Sequence, residues 1–100
     1  TLRAEDGRPI GVWGQRRLRY LKQYHKVIYY NLLTSGKLHS HLVDIDEEAQ
    51  ELFLRLEKEY AENENVTEQL KEEYPIEWIR RMNNIKMRVR EMVNSEVIFG

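Results

Sequence analysis

Between Leu38 and Tyr60 the apolar residues keep a four-three rhythm without a break: Leu38, Leu42, Ile45, Ala49, Leu52, Leu56 and Tyr60. A repeat of this kind, carried through about three heptads, puts one apolar stripe along one side of an α-helix. Such a stripe is stable only when covered by other helices. Phe53 widens the stripe, and Asn63 and Asn65 are expected to close the helix. Trp13, Leu18, Leu21, Tyr24/His25, Ile28 and Leu32 form an earlier pattern at helical spacing. It predicts one long helix reaching Thr34, ended by Gly36, the residue type that enters the left-handed region most easily. Only Thr34-Ser35-Gly36-Lys37 separates the two patterns, and so short a link requires an antiparallel hairpin.

Thr67 reads as the N-cap of a short third helix beginning at Val66-Thr67-Glu68. Pro75 stops that helix because it lacks an amide proton, yet it suits the first turn of the next one. Trp78, Met82, Ile85, Val89 and Met92, with Ile79 and Val93, mark a last long helix. Val97, Ile98 and Phe99 are expected to fold back onto the bundle. The predicted fold is all-α, an antiparallel bundle of three long helices and one short one. Its expected core is Leu18, Leu21, Ile28, Leu32, Leu42, Ile45, Leu52, Leu56, Met82, Ile85 and Val89. Residues 1–11, with two glycines and Pro9, are expected to be an extended or mobile arm, and residues 12–100 one domain.

Composition supports a folded helical chain. Hydrophobic residues at 41% suffice for a core, and 33% charged residues leave a heavily solvated exterior. Cysteine is absent, which removes disulfide and thiolate chemistry. No apolar run approaches the roughly 18 residues of a membrane span, and no signal-peptide pattern opens the chain. The first residue is threonine, so a piece of a longer product is expected.

Charge is distributed unevenly. Residues 1–41 carry eight Lys/Arg against two acids, residues 42–75 carry three against twelve, and residues 76–100 carry five against three. Two readings follow: complementary helix faces within the bundle, or a basic patch for a polyanion.

The sharper chemistries find little support. His39 and His41 on a helix point to different faces, and none of His25, His39 and His41 has a glutamate three residues before it, as di-iron bundles require. Asp44-Ile45-Asp46-Glu47-Glu48 lacks the glycine of a calcium loop and is expected to be a solvated helix face. The Gly11-x-x-Gly14 pair has neither the preceding strand nor the lysine of a phosphate loop. Ser35, Ser40 and Ser95 have no evident base, and Asn65-Val66-Thr67 reads as a helix boundary rather than a glycosylation site. No metal or cofactor is expected.

Two stretches could carry binding. Arg16, Arg17 and Arg19 alternate with aromatics through Tyr20 and Tyr24, which suits phosphate contact and base stacking. Arg80, Arg81, Asn83, Asn84, Lys86, Arg88 and Arg90 crowd the last helix. Asparagine is a poor residue for a helix interior. The Asn83-Asn84 pair is therefore expected either to make buried hydrogen bonds to another helix or, on an exposed face, to read base edges in a major groove. The short helix, the Pro75 turn and the basic helix loosely echo a helix-turn-helix, against which stand Glu68, Glu72 and Glu73.

Pro9-Ile10-Gly11-Val12-Trp13-Gly14-Gln15-Arg16, Leu18-Arg19-Tyr20-Leu21-Lys22 and Asn31-Leu32-Leu33-Thr34-Ser35-Gly36-Lys37-Leu38 resemble the TnpV family of transposon-encoded proteins. So do Val66-Thr67-Glu68-Gln69-Leu70-Lys71 and Arg81-Met82-Asn83-Asn84-Ile85, in the same order and spacing. The resemblance implies a bacterial mobile element, a cytoplasmic location and a further N-terminal segment. Tyr74 stands where the family leads one to expect asparagine, which weakens the cap of the last helix. The resemblance carries no catalytic residues.

The expected role is that of a non-enzymatic accessory protein of a transposon or conjugative element, binding DNA or the element's recombination proteins. Arg16, Arg17, Arg19, Arg80, Arg81, Asn83, Asn84, Lys86, Arg88 and Arg90 are the candidate DNA contacts. The alternative is a helical interaction module that pairs as a homodimer.

Overall fold

The computed structural model describes residues 8–99. Its elements are α1 (Val12–Tyr24), α2 (Lys26–Thr34), α3 (Leu38–Asn63), α4 (Glu68–Glu73), α5 (Pro75–Val93) and a closing π-helix (Asn94–Ile98). The fold is all-α, as the periodicity requires.

The turn chemistry follows the sequence closely. Gly36 adopts φ 75°, and Lys37 N donates to Leu32 O at 3.0 Å while Gly36 N donates to Leu33 O at 3.3 Å. That pair of bonds is the Schellman closure, which satisfies carbonyls left over at a helix end. Asn65, at φ 58°, repeats it at the end of α3, with Val66 N donating to Ala61 O at 2.8 Å. Thr67 caps α4 by accepting from Leu70 N at 3.2 Å. Pro75 opens α5, and Tyr74 ahead of it supplies no side-chain cap.

One expectation about the helices fails. The single long helix predicted from Trp13 to Thr34 is two helices, broken at His25 (φ −137°, ψ 60°). No glycine or proline marks the break. Instead, the Tyr20 hydroxyl meets His25 Nε2 at 3.0 Å, and the Tyr20 ring lies 5.1 Å from that of Phe99. Tyr20 thus joins the residue at which the helix ends to the far end of the chain. Propensity is a weak prior against tertiary contact.

The acidic α3 is the spine. It packs against α1 near its start and against α5 over its later turns, while α1 and α5 do not meet through their backbones. The core joins Ala49 and Val66 to Ile85, Val89, Val93, Val97 and Ile98, flanked by Trp13, Leu52, Phe53 and Leu56. Leu21, Leu42 and Val43 are buried as well. Of the expected core residues, Ile28 departs: it is 44% exposed, because the break at His25 re-aims α2. The described residues extend 54 × 27 × 18 Å, with a radius of gyration of 17.2 Å. A compact chain of this length would have about 13 Å. A spine with helices arranged along it accounts for the excess.

Candidate interaction surface

α1 crosses α3 at very close range, and glycine makes this possible. A Cβ on Gly14 would lie 2.7 Å from Leu42 O and 2.6 Å from Ile10 Cγ2, and one on Gly11 would lie 2.7 Å from the Asp46 carboxylate. Asp46, 4% exposed, accepts from Gly14 N at 3.0 Å and from Gln50 Nε2 at 2.6 Å. A buried carboxylate is costly unless hydrogen-bonded, and the free amides at a helix N-terminus are suitable donors. The acidic run expected on a solvated face therefore divides. Asp46 turns inward, whereas exposed Asp44 and Glu47 receive Arg8. His39 Nε2 lies 2.8 Å from Arg8 O, so the described part of the N-terminal arm is held against α3; residues 1–7 lie outside the described residues.

The candidate DNA contacts scatter. Arg16 lies 5.0 Å over the Trp13 ring and donates to Asn94 Oδ1 at 3.2 Å. Arg17 donates to Ile98 O at 2.7 Å. Both arginines thus clamp the π-helix to α1. Arg88 pairs with Glu64 at 2.8 Å and lies over the Tyr60 ring. That bond from Arg88 holds the Glu64 carboxyl below its ordinary range and raises the guanidinium in turn. Arg80 and Arg81 both engage Glu77, and the Arg81 bond lowers the Glu77 carboxyl. Arg19, Asn83, Asn84, Lys86 and Arg90 are exposed. The asparagine pair therefore makes no buried contact, because α5 turns other residues (Ile85, Val89 and Val93) toward the core.

The ten candidates lie on two helices. Arg16, Arg17 and Arg19 belong to α1, the rest belong to α5, and acidic α3 packs against both helices. His41, beside Arg17, is shifted below its ordinary value, first by burial and then by the Arg17 charge, with Asp44 opposing. Among the described residues no group of three or more His, Asp or Glu side chains is placed to hold a metal ion, and no helix is long and apolar enough to cross a membrane.

An unforeseen surface is α2 itself. Lys26-Val-Ile-Tyr-Tyr-Asn-Leu-Leu-Thr34 is the most apolar helix of the chain, yet none of its residues is buried. Val27 is 74%, Tyr30 57% and Leu33 48% exposed. Their spacing of three residues keeps them on one side, while Tyr29 and Leu32 are half-buried. Exposed Lys22 and Lys26 border this side, with Lys22 Nζ 5.6 Å from the Tyr29 ring. The signal in the sequence was the excess: this stretch carries more apolar side chains than one stripe needs.

Comparison with known proteins adds context to this geometry. No curated protein and no solved structure matches the chain. One family model, described as Transposon-encoded protein TnpV, matches residues 1–98. With essentially the whole length matched, the chain belongs to the TnpV family of transposon-encoded proteins.

Proposed function

We propose that this chain is a non-enzymatic accessory protein of a bacterial mobile element, acting in the cytoplasm by docking to a protein, with the outer side of α2 as the contact. The observation that carries this reading is a helix of nine residues with none buried and three large apolar side chains at least 48% exposed. Contiguous exposed apolar surface rimmed by charge marks interaction sites. Full burial of side chains this size contributes about 1.5–3 kcal/mol each, enough for α2 to dominate a contact. Engagement of Arg16 and Arg17 with the π-helix favours this reading over a DNA footprint.

The family setting suggests the partner, a recombination protein of the same element. Co-purification of the two is expected, and it should be lost in the double variant Val27→Asp, Leu33→Asp with helical content unchanged. Retention by that variant would remove α2 from the contact.

DNA binding remains as a second reading, supported by exposed Asn83, Asn84, Lys86 and Arg90 on α5. It predicts a mobility shift that falls steeply with salt and disappears in Lys86→Glu, Arg90→Glu. No shift at low salt, on duplex or single strands, would end it.

A further inference from the structure

We propose that the occupant of the α2 face is an acidic amphipathic helix of the partner, which lays an apolar stripe on Val27, Tyr30 and Leu33 and carries Asp or Glu at both ends of that stripe. The proposal rests on the docking reading above and names the chemistry of its partner. Three cations mark out the contact. Lys26 stands four residues before Tyr30 and seven before Leu33, on one stripe of α2. Lys22 Nζ lies 5.6 Å from the Tyr29 ring, and that ring lies 5.3 Å from the Tyr30 ring. Lys37 N donates to Leu32 O, which places Lys37 at the other end of α2. All three lysines are exposed, and among the described residues none belongs to an ion pair.

No acid nearby offsets them. Among the described residues α2 packs only against α1 and α3. Residues 12–43, which include all of α1 and α2, contain six Lys/Arg and no Asp or Glu. The first acid of α3, Asp44, receives Arg8 at 3.2 Å. Two α2 faces laid on each other would therefore bring like charges together, whereas carboxylates on the partner complement them.

The backbone decides the form of the partner. The amides and carbonyls of α2 are bonded along its own axis, so it offers no edge to an extended segment. An extended chain laid on Val27 and Tyr30 would cover its own peptide groups without replacing their bonds to water. A helix arrives with those bonds already made, and an amphipathic one matches an apolar stripe. The nine residues of α2 span about 14 Å, so roughly two and a half turns of the partner lie along it. Apolar contact then holds the partner, while the lysines speed its arrival and reject basic competitors.

Two synthetic helical peptides of about 14 residues, four turns, test this. Both carry leucine at four-three spacing; one has glutamate at the flanking positions and the other lysine. The whole chain should bind the glutamate peptide about tenfold tighter, with an association rate that falls as salt rises. Lys22→Glu, Lys26→Glu, Lys37→Glu should reverse the preference with helical content unchanged. If that reversal unfolds the chain, the same three lysines changed to glutamine should bring the two affinities together. Val27→Asp, Leu33→Asp should abolish binding of either peptide. Equal affinity for the two peptides, preference for the lysine peptide, a preference that survives the lysine substitutions, or no binding would each overturn the proposal. So would attachment to phosphatidylglycerol vesicles with neither peptide bound. In any of these cases the docking reading stands if co-purification still depends on Val27 and Leu33, and falls with the proposal if that dependence is lost.

Discussion

α1 and α2 are two halves of one apolar pattern, and they end in opposite circumstances. α2 is the more apolar and buries no residue, whereas arginine-rich α1 buries Gly14 and Leu21. Hydrophobicity alone therefore does not decide which half enters the fold. α1 gains its place through close approach at Gly14, the Asp46 carboxylate on its first turn, and two arginines that hold the π-helix. α2 has none of these and lies on the outside, where its apolar side chains remain available to a partner.

Substitutions can break that contrast. Leu21→Ala in α1 should cost the most, about 3 kcal/mol in urea unfolding, as expected for a fully buried leucine. Gly14→Ala should follow at about 2 kcal/mol, since its Cβ meets a backbone carbonyl that cannot move aside cheaply. If it is neutral, the tight crossing is not what anchors α1. Val27→Ala and Leu33→Ala in α2 should change stability by only about 0.5 kcal/mol or less, while reducing association. A larger loss of stability would mean that α2 is part of the core after all.

The smallest expected effect depends on pH. The folded-state value of His41 is below its ordinary 6.5, so the unfolded chain binds the proton more readily. The contribution of neutral His41 to stability is thus complete above about pH 6.5 and is lost as pH falls through the folded value. Thermal midpoints measured from pH 7.5 to 5 should fall less in His41→Gln than in the wild type.

Much of this fold was legible in the sequence because local chemistry decides it. The unbroken rhythm from Leu38 to Tyr60, the left-handed turns at Gly36 and Asn65, the Thr67 cap and the Pro75 start all depend on residues close in the chain. The break at His25 does not. Its spacing continues the helical pattern without punctuation, and Phe99, which packs on Tyr20 there, is 74 positions away. Asp46 was legible in part, since it lies four residues after Leu42 and three before Ala49 on the apolar side of α3, unlike Asp44 and Glu47. That Gly11 and Gly14 meet it there was not.

The candidate site was harder still to foresee, because arginine serves equally well for phosphate, carboxylate and backbone carbonyl. Composition identifies where guanidinium groups occur but not which acceptor they meet. Arg17 was a sound choice by residue type, and Ile98 O is what it reaches.

The clamp of Arg16 and Arg17 on the π-helix spans 78 and 81 positions of chain. Contacts between such distant segments demand that a long loop be closed, so they tend to form after the nearer pairing of α3 with α5. Bonds made after the folding barrier affect escape from the native state more than arrival at it. Arg17→Ala should accordingly speed unfolding in stopped-flow measurements while leaving the refolding rate nearly unchanged. The last turn of the chain then acts as a latch on the lifetime of the folded molecule.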